Sequence, residues 1–334
     1  MKRIIAAALI VLLLTAGCHQ ARIPAAPDET PPGKRISIVC TIFPTYDWVR
    51  EILGDRADAF DLTLLLNSRI DLHSYQPSVD DMVKIAACDL LLYVGGESDD
   101  WVEDALRQSA NPDMTVLNLL DLLGDSAKIE EIVEGMQDGG DHDGHDHHDD
   151  DGHHDDDGHE ADYDEHVWLS LKNAAFFCEV IAGALAALDS GNAGIYRSNL
   201  TAYQRKLADL DKDYQAAVNA APVKILLFGD RFPFRYLVDD YGIEYYAAFS
   251  GCSAETEASF DAIVFLAKKA DELNLNAVMV TESSDQSIAR TIAGSTKGTR
   301  QILVLDSMQS ADSANGRYLS IMESNLNVLK EALI

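Results

Sequence analysis

Tyr196 to Pro222 reads YRSNLTAYQRKLADLDKDYQAAVNAAP, and its reading divides the rest of the chain. Tyr196, Leu200, Tyr203, Leu207, Leu210 and Tyr214 recur at steps of four and three residues, which puts their side chains on one face of an α-helix. No Gly or Pro interrupts the run before Pro222, so one long amphipathic helix is predicted. On either side of it the pattern changes to short β-branched runs alternating with helical segments.

Before the long helix, Ile36 to Phe43 reads as a buried strand ended by Pro44, and Tyr46 to Leu53 as a helix closed by Gly54. Phe60 to Leu66 is a second strand. Ser78 can cap a helix running to Ala87; Asp89 to Val94 and Thr115 to Leu119 are two more strands, and Asn173 to Leu188 is helical. After it, strands are expected at Val223 to Phe228, Ile243 to Phe249, Ala277 to Thr281 and Ile302 to Leu305. Helices fall at Phe234 to Tyr241, Ser259 to Leu273, around Ile288, and in a last segment ending at Leu333. Such alternation predicts an α/β fold of two lobes, each a mainly parallel sheet flanked by helices, joined by one long rigid helix. The boundaries fall at residues 35–192 for the first lobe, 193–221 for the linking helix and 222–334 for the second.

The N-terminal residues belong to neither lobe. Lys2 and Arg3 precede an apolar stretch from Ile4 to Leu14 that is too short to remain as a membrane span. Leu14-Thr-Ala-Gly-Cys18 resembles a bacterial lipobox, so residues 1–17 read as a lipoprotein signal peptide with Cys18 as the lipidated residue. Residues 18–34, rich in Pro and Ala, read as a tether. The mature body is expected outside the cytoplasmic membrane, anchored to it by lipid. Four further cysteines, Cys40, Cys88, Cys178 and Cys252, permit disulfides or buried thiols, and no CxxC pair announces a structural zinc site.

Within the first lobe, Asp141 to Glu160 reads DHDGHDHHDDDGHHDDDGHE. It holds seven of the ten histidines: His142, His145, His147, His148, His153, His154 and His159. Residues 138–165 carry 14 acids and no Lys or Arg; the remainder still has 42 acids against 26 bases, within a net charge of −30. That balance argues against nucleic acid as a partner and favours cationic ligands. Neutral imidazoles among carboxylates suit auxiliary capture of divalent cations, which should fail as pH falls through the histidine range; the plainer reading is a solvated acidic loop.

Outside the tract lie His19 in the tether, His73 in Asp71-Leu-His-Ser-Tyr75, and His166 in Asp164-Glu-His-Val-Trp168. Both loop histidines follow an Asp by two residues, and that Asp is a candidate acceptor for the imidazole N–H not used on a metal. Asp71-Leu-His-Ser-Tyr-Gln-Pro77 and Asp164-Glu-His-Val-Trp-Leu169 are similar to the D-P-H-x-Y-x-P and D-P-H-x-W-L motifs of the zinc/manganese-type (cluster A-I) solute-binding lipoproteins of ABC importers, without the Pro before each His. Val280-Thr-Glu-Ser-Ser284 and Ile302-Leu-Val-Leu-Asp306 resemble later stretches of that family. The resemblance implies His73, His166 and Asp306 as ligands for a metal between two lobes, although by itself Asp306 reads as a turn or capping residue. The family's third ligand, His or Glu, falls here on Arg231 of Gly229-Asp-Arg-Phe-Pro-Phe-Arg-Tyr236, and a guanidinium has no lone pair to offer. Asp230 is carried as the substitute candidate; water, Glu255 and Glu257 are the others.

The resemblance implies a monomeric binding protein that takes up Zn2+ and hands it to a permease and its ATPase, with Mn2+ as the alternative cargo. An exported zinc hydrolase would need a general base such as Glu165 or Glu282 beside an open coordination position, and no helix-borne ligand pair supports it. A second role as an adhesin leaves the paired histidine loops unexplained.

Overall fold

The computed structural model describes residues 35–67, 72–137, 163–253, 257–311 and 316–334. The signal, the tether, Cys18, Asp71, Glu255 and the seven tract histidines lie outside these residues.

The first half opens with β1 (Ser37–Cys40), whose apolar side chains leave no face for solvent, followed by α1 (Phe43–Leu53). Pro44, read as the end of a strand, occupies the first turn of α1; a missing N–H costs nothing there and its fixed φ suits a helix start. The helix therefore begins three residues before Tyr46. Next come β2 (Asp61–Leu64) and α2 (Val79–Ala87). Ser78 and Asp81 close a reciprocal capping box on α2. Then follow β3 (Leu90–Tyr93), α3 (Trp101–Arg107), β4 (Thr115–Asn118) and α4 (Leu119–Leu123). Two of these, α3 and α4, were not expected, because seven and five residues are too few to display a helical period. The strands pair in parallel in the order β2-β1-β3-β4.

After α5 (Leu171–Leu188) comes α6 (Ala193–Ala220), the long helix. Its 28 residues span about 42 Å at 1.5 Å per residue. The predicted stripe is the buried one, with Tyr196, Tyr203, Leu207, Leu210, Tyr214 and Val218 turned inward. One end is tied to α1 and α5 by Asn199 Nδ2 donating to the Ile52 carbonyl (2.9 Å) and Gln204 Nε2 to the Ala175 carbonyl (3.3 Å).

The second half repeats the alternation: β5 (Ile225–Phe232), α7 (Arg235–Tyr241), β6 (Glu244–Ser250), α8 (Phe260–Glu272), β7 (Ala277–Val280), α9 (Ser287–Ser295), β8 (Gln301–Val304) and α10 (Tyr318–Ala332). Its strands are also parallel, in the order β6-β5-β7-β8. Two parallel sheets flanked by helices and linked by one long helix are thus the architecture that the alternation predicted. β5 runs four residues past the expected Phe228, through an irregularity in its register with β6 between Phe228 and Arg231. The far end of α6 meets this half through Tyr214, which stacks on Tyr241 of α7 at 5.2 Å.

The last helix reaches beyond its own sheet. α10 packs on α1 and α6, with Tyr214 Oη donating to the Met322 carbonyl (2.7 Å) and Tyr318 edge-on to Trp48 at 5.2 Å. Its first N–H is capped from α1: Asp47 Oδ2 accepts from Tyr318 N at 2.8 Å, and Oδ1 holds Arg50 at 2.5 Å. Asp47 is 1% exposed, so its carboxylate is stranded if either donor moves. Replacing Asp47 with Ala is expected to lower stability in urea denaturation by about 2 kcal/mol, the scale of a charge-assisted hydrogen bond lost inside a protein. A helix glycine supplies the control: a Cβ on Gly183 in α5 meets no atom within 4 Å, so Gly183→Ala should add roughly 0.5–1 kcal/mol.

Candidate metal centre

Most side chains of the site hang from loops beyond the carboxyl ends of the parallel strands, where no ladder consumes the backbone and α/β folds leave a crevice. His73 follows β2, Ser98 follows β3, Cys252 follows β6, Glu282 follows β7 and Gln309 follows β8. His166 stands just before α5, three residues after Tyr163, whose bridge to Ile129 closes the base of the segment that contains the tract.

The two predicted loop histidines meet. His73 Nε2 and His166 Nε2 are 3.4 Å apart, with ring centroids at 5.4 Å. The other nitrogen of each ring is already engaged. His166 Nδ1 lies 3.0 Å from Asp164 Oδ1, which also accepts the His166 backbone N–H at 2.9 Å. A carboxylate only accepts, so Nδ1 carries the proton and Nε2 keeps its lone pair. The Asp two residues before His166 therefore plays the expected part, and the matching Asp71 lies outside the described residues. His73 Nδ1 instead meets Ser98 Oγ at 2.7 Å. Behind Ser98 stands Glu165, 2% exposed, whose Oε1 accepts the Ser98 N–H at 2.8 Å and whose Oε2 is 3.6 Å from His73 Nδ1. Gly96, at φ +79°, permits this approach, because a Cβ there would fall 2.5 Å from Glu165 Oε1.

Burial raises the Glu165 carboxyl above its ordinary range, against the Ser98 hydrogen bonds that favour its charged form. For His166 burial works against the imidazolium, yet Asp164, then Glu165 and Glu130, outweigh it and raise the ring above the usual histidine value. A cation between the rings is thus favoured by fixed negative charge on the protein side of both imidazoles.

Gln309 had no part in the expectations, yet its amide Nε2 stands 2.7 Å from His166 Nε2 and 3.0 Å from His73 Nε2. Since Asp164 fixes the His166 tautomer, the amide group facing the rings is the donor. Its loop is held from three directions. Glu282 accepts from the backbone and hydroxyl of Ser307 (2.8 and 2.9 Å) and the hydroxyl of Ser310 (3.2 Å). Asp306 N donates to Asn325 Oδ1 of α10 at 2.9 Å, and Trp168 Nε1 donates to the Ser307 carbonyl at 2.8 Å. Met308 is left in the left-handed region at φ 60°, a conformation that a non-glycine side chain holds only under surrounding constraint.

Among the described residues, the donor atoms gathered within 4.8 Å of one another belong to His73, His166 and Cys252. Two sequence candidates are not in that group. Asp306 uses Oδ1 to accept the Met308 N–H at 2.8 Å, the turn role that its local sequence suggests. Its carboxyl is pushed up to about 6 by burial and by Glu282. Asp230 spends both oxygens at the register irregularity of β5: Oδ2 accepts from Thr281 N (3.0 Å) and Oγ1 (2.8 Å), Oδ1 from Arg231 N (2.8 Å). It replaces ladder bonds that the irregularity removes. Glu257 is exposed.

Cys252 entered the sequence reading only through disulfide counting. Cys40, Cys178 and Cys252 are free thiols; Cys40, Cys88 and Cys178 are buried under the first sheet and α5. Its position two residues past a strand end was the signal that could have singled it out.

Comparison with known proteins identifies the family. Residues 38–332 match the family described as zinc-uptake complex component A, periplasmic. The zinc-binding lipoprotein AdcA of Streptococcus pneumoniae (strain ATCC BAA-255 / R6) is 28% identical over 328 residues, covering 96% of this chain and 60% of that protein. The chain therefore spans about 60% of the length of AdcA. The high-affinity zinc uptake system protein ZnuA of Bacillus subtilis (strain 168) is 28% identical over 324 residues, covering 96% of this chain and 94% of that one. Among solved structures, the Zn(II)-bound ZnuA-like domain of Streptococcus pneumoniae AdcA is 25% identical with a TM-score of 0.66, covering 90% of this chain and 99% of that one. The periplasmic zinc binding protein TroA from Treponema pallidum, 20% identical, shares the fold with a TM-score of 0.70 over 90% of this chain and 99% of that one. With the match running from β1 into α10, through both sheets and the loops that carry the paired histidines, the chain belongs to the family of zinc-uptake complex component A.

Proposed function

We propose that the protein is the extracytoplasmic solute-binding component of an ABC importer, capturing Zn2+ between its two lobes and delivering it to a membrane permease and its ATPase. The observation that carries this reading is the 3.4 Å separation of the two imidazole Nε2 atoms. Two nitrogens at ~2.05 Å from a tetrahedral zinc ion stand about 3.3 Å apart. The rings already have the spacing and backing that zinc coordination demands, and Asp164 sets the tautomer of His166. Calcium and magnesium ask for a cage of oxygens, which two imidazoles do not provide.

In this reading the Gln309 amide occupies the cation's place and must swing aside as zinc enters, so capture moves residues 306–310. Asp230, with both oxygens committed, holds its loop in shape while the imidazoles hold the ion; Asp306, whose Oδ1 accepts the Met308 N–H, stays the carboxylate candidate beside them. The His/Asp tract raises the local zinc concentration. Cys18 carries the lipid anchor, residues 18–34 give the body its reach, and the protein works as a monomer. Residues 35–192, 193–221 and 222–334 are the first lobe, the linking helix and the second lobe.

Competitive calorimetry against a zinc chelator tests the reading. His73→Ala and His166→Ala should each weaken zinc binding by more than the roughly 100-fold that removal of an outer partner can cost, and His147→Ala should leave tight binding intact. Tight binding that survives both loop substitutions would remove the two-lobe site. Asp164→Asn, which keeps the hydrogen-bond shape and loses the charge, should cost about 10-fold. A Cβ at Gly251 would fall 3.1 Å from His166 Cε1 and 2.9 Å from the Phe232 carbonyl oxygen. Gly251→Ala should therefore displace the ring and weaken zinc binding while costing about 1–3 kcal/mol of stability. Zinc at a hundred times its Kd should stabilise the wild-type protein by about 2.7 kcal/mol, a gain absent from His166→Ala.

A further inference from the structure

We propose that Cys252 supplies the third zinc ligand, so that the ion is held by two imidazoles and one thiolate. This rests on the zinc-capture reading above and names the donor that the reading leaves open. The Cys252 Sγ lies within 4.8 Å of the ligand nitrogens of both His73 and His166. With Zn–S at ~2.3 Å and Zn–N at ~2.05 Å, a tetrahedral ion asks for S···N separations of about 3.6 Å, so a closure of roughly 1 Å completes the triangle.

The local fold brings the sulfur there. Arg231 of β5 and Phe249 of β6 are register partners, as are Phe232 and Ser250. Cys252 thus leaves the neighbouring strand just beyond the level of Arg231, which cannot bind a cation. The donor has in effect moved one strand sideways. Gly251 lets that backbone close on the His166 ring. Cys252 N donates to Glu130 Oε1 at 2.9 Å; burial and then the charges of Glu130, Glu165 and Asp164 raise the unliganded thiol, against the Glu165 backbone N–H, which lowers it. Asp230 does not compete for the position, since its oxygens are taken by Thr281 and the Arg231 N–H. On binding, the S–H bond breaks, its proton leaves to solvent water, and the sulfur lone pair forms the bond to zinc.

A thiolate also changes the selectivity argument. Sulfur is a soft donor that suits zinc and suits manganese poorly, so discrimination would reside in the central site and need no help from the tract.

Wild-type protein loaded with one equivalent of zinc should show one sulfur neighbour at about 2.3 Å in X-ray absorption, beside nitrogens at about 2.0 Å. Loaded with cobalt(II), it should show a near-ultraviolet sulfur-to-cobalt charge-transfer band. Cys252→Ser should lose both signatures and bind zinc at least 10-fold more weakly. The wild-type spectra need no variant, so the test survives a substitution that fails to fold. Tight zinc binding with only nitrogen and oxygen neighbours would overturn the cysteine assignment and leave zinc capture standing. No tight zinc binding by the wild-type protein would overturn both.

Discussion

Two imidazole nitrogens that face one another across 3.4 Å repel as lone pairs unless a proton or a positive group lies between them, and the surroundings of the site bear on that requirement. Here the partial positive charge is the Gln309 amide; in the proposed loaded state it is zinc. Neither arrangement is available to rings free to turn. On the Nδ1 side Asp164 chooses the tautomer of His166, and Ser98, its backbone held by Glu165, directs the His73 ring. Close approach at Gly96 and Gly251 lets those partners and the Cys252 backbone stand near enough to act.

Such a centre is only as rigid as the contacts between its two halves. Trp168, two residues after His166, donates to the Ser307 carbonyl on the Gln309 loop and accepts from Tyr318 of α10 through its own carbonyl. The amino end of α10 is capped by Asp47 of α1. The C-terminal helix is therefore a strap from the second sheet back to the first. Combined with α6, which packs on helices of both halves, it restricts rearrangement to the loops at the strand ends. The 306–310 loop is the element best placed to move, because it already stores backbone strain at Met308.

The carboxylates close to the histidines are mostly spent on backbone donors. Asp230, Asp306, Glu282 and Glu165 each accept N–H groups that the irregular strand ends leave without a ladder partner. They contribute negative potential to the cleft, while in the proposed loaded state the direct donors include two imidazoles and a sulfur. An acidic protein can in this way hold a comparatively soft site.

Periodicity along the chain was enough to foresee the two parallel sheets, the helix between them and the capping box at Ser78, because these follow from which faces are apolar and which polar groups cap locally. The paired histidines and the role of Asp164 were legible too, since a His and its backing carboxylate lie two residues apart in one loop. Cys252 and Gln309 were not. Each depends on where a loop of the second half arrives relative to His166, a distance set by strand register and by the packing of α10 on α1 and α6. The same holds for Asp230 and Asp306: local sequence announces an acid, while only tertiary structure decides whether its oxygens face an ion or a neighbouring N–H. Hydrophobic pattern is a local property and chose the fold; ligand convergence is a long-range property and was decided in three dimensions.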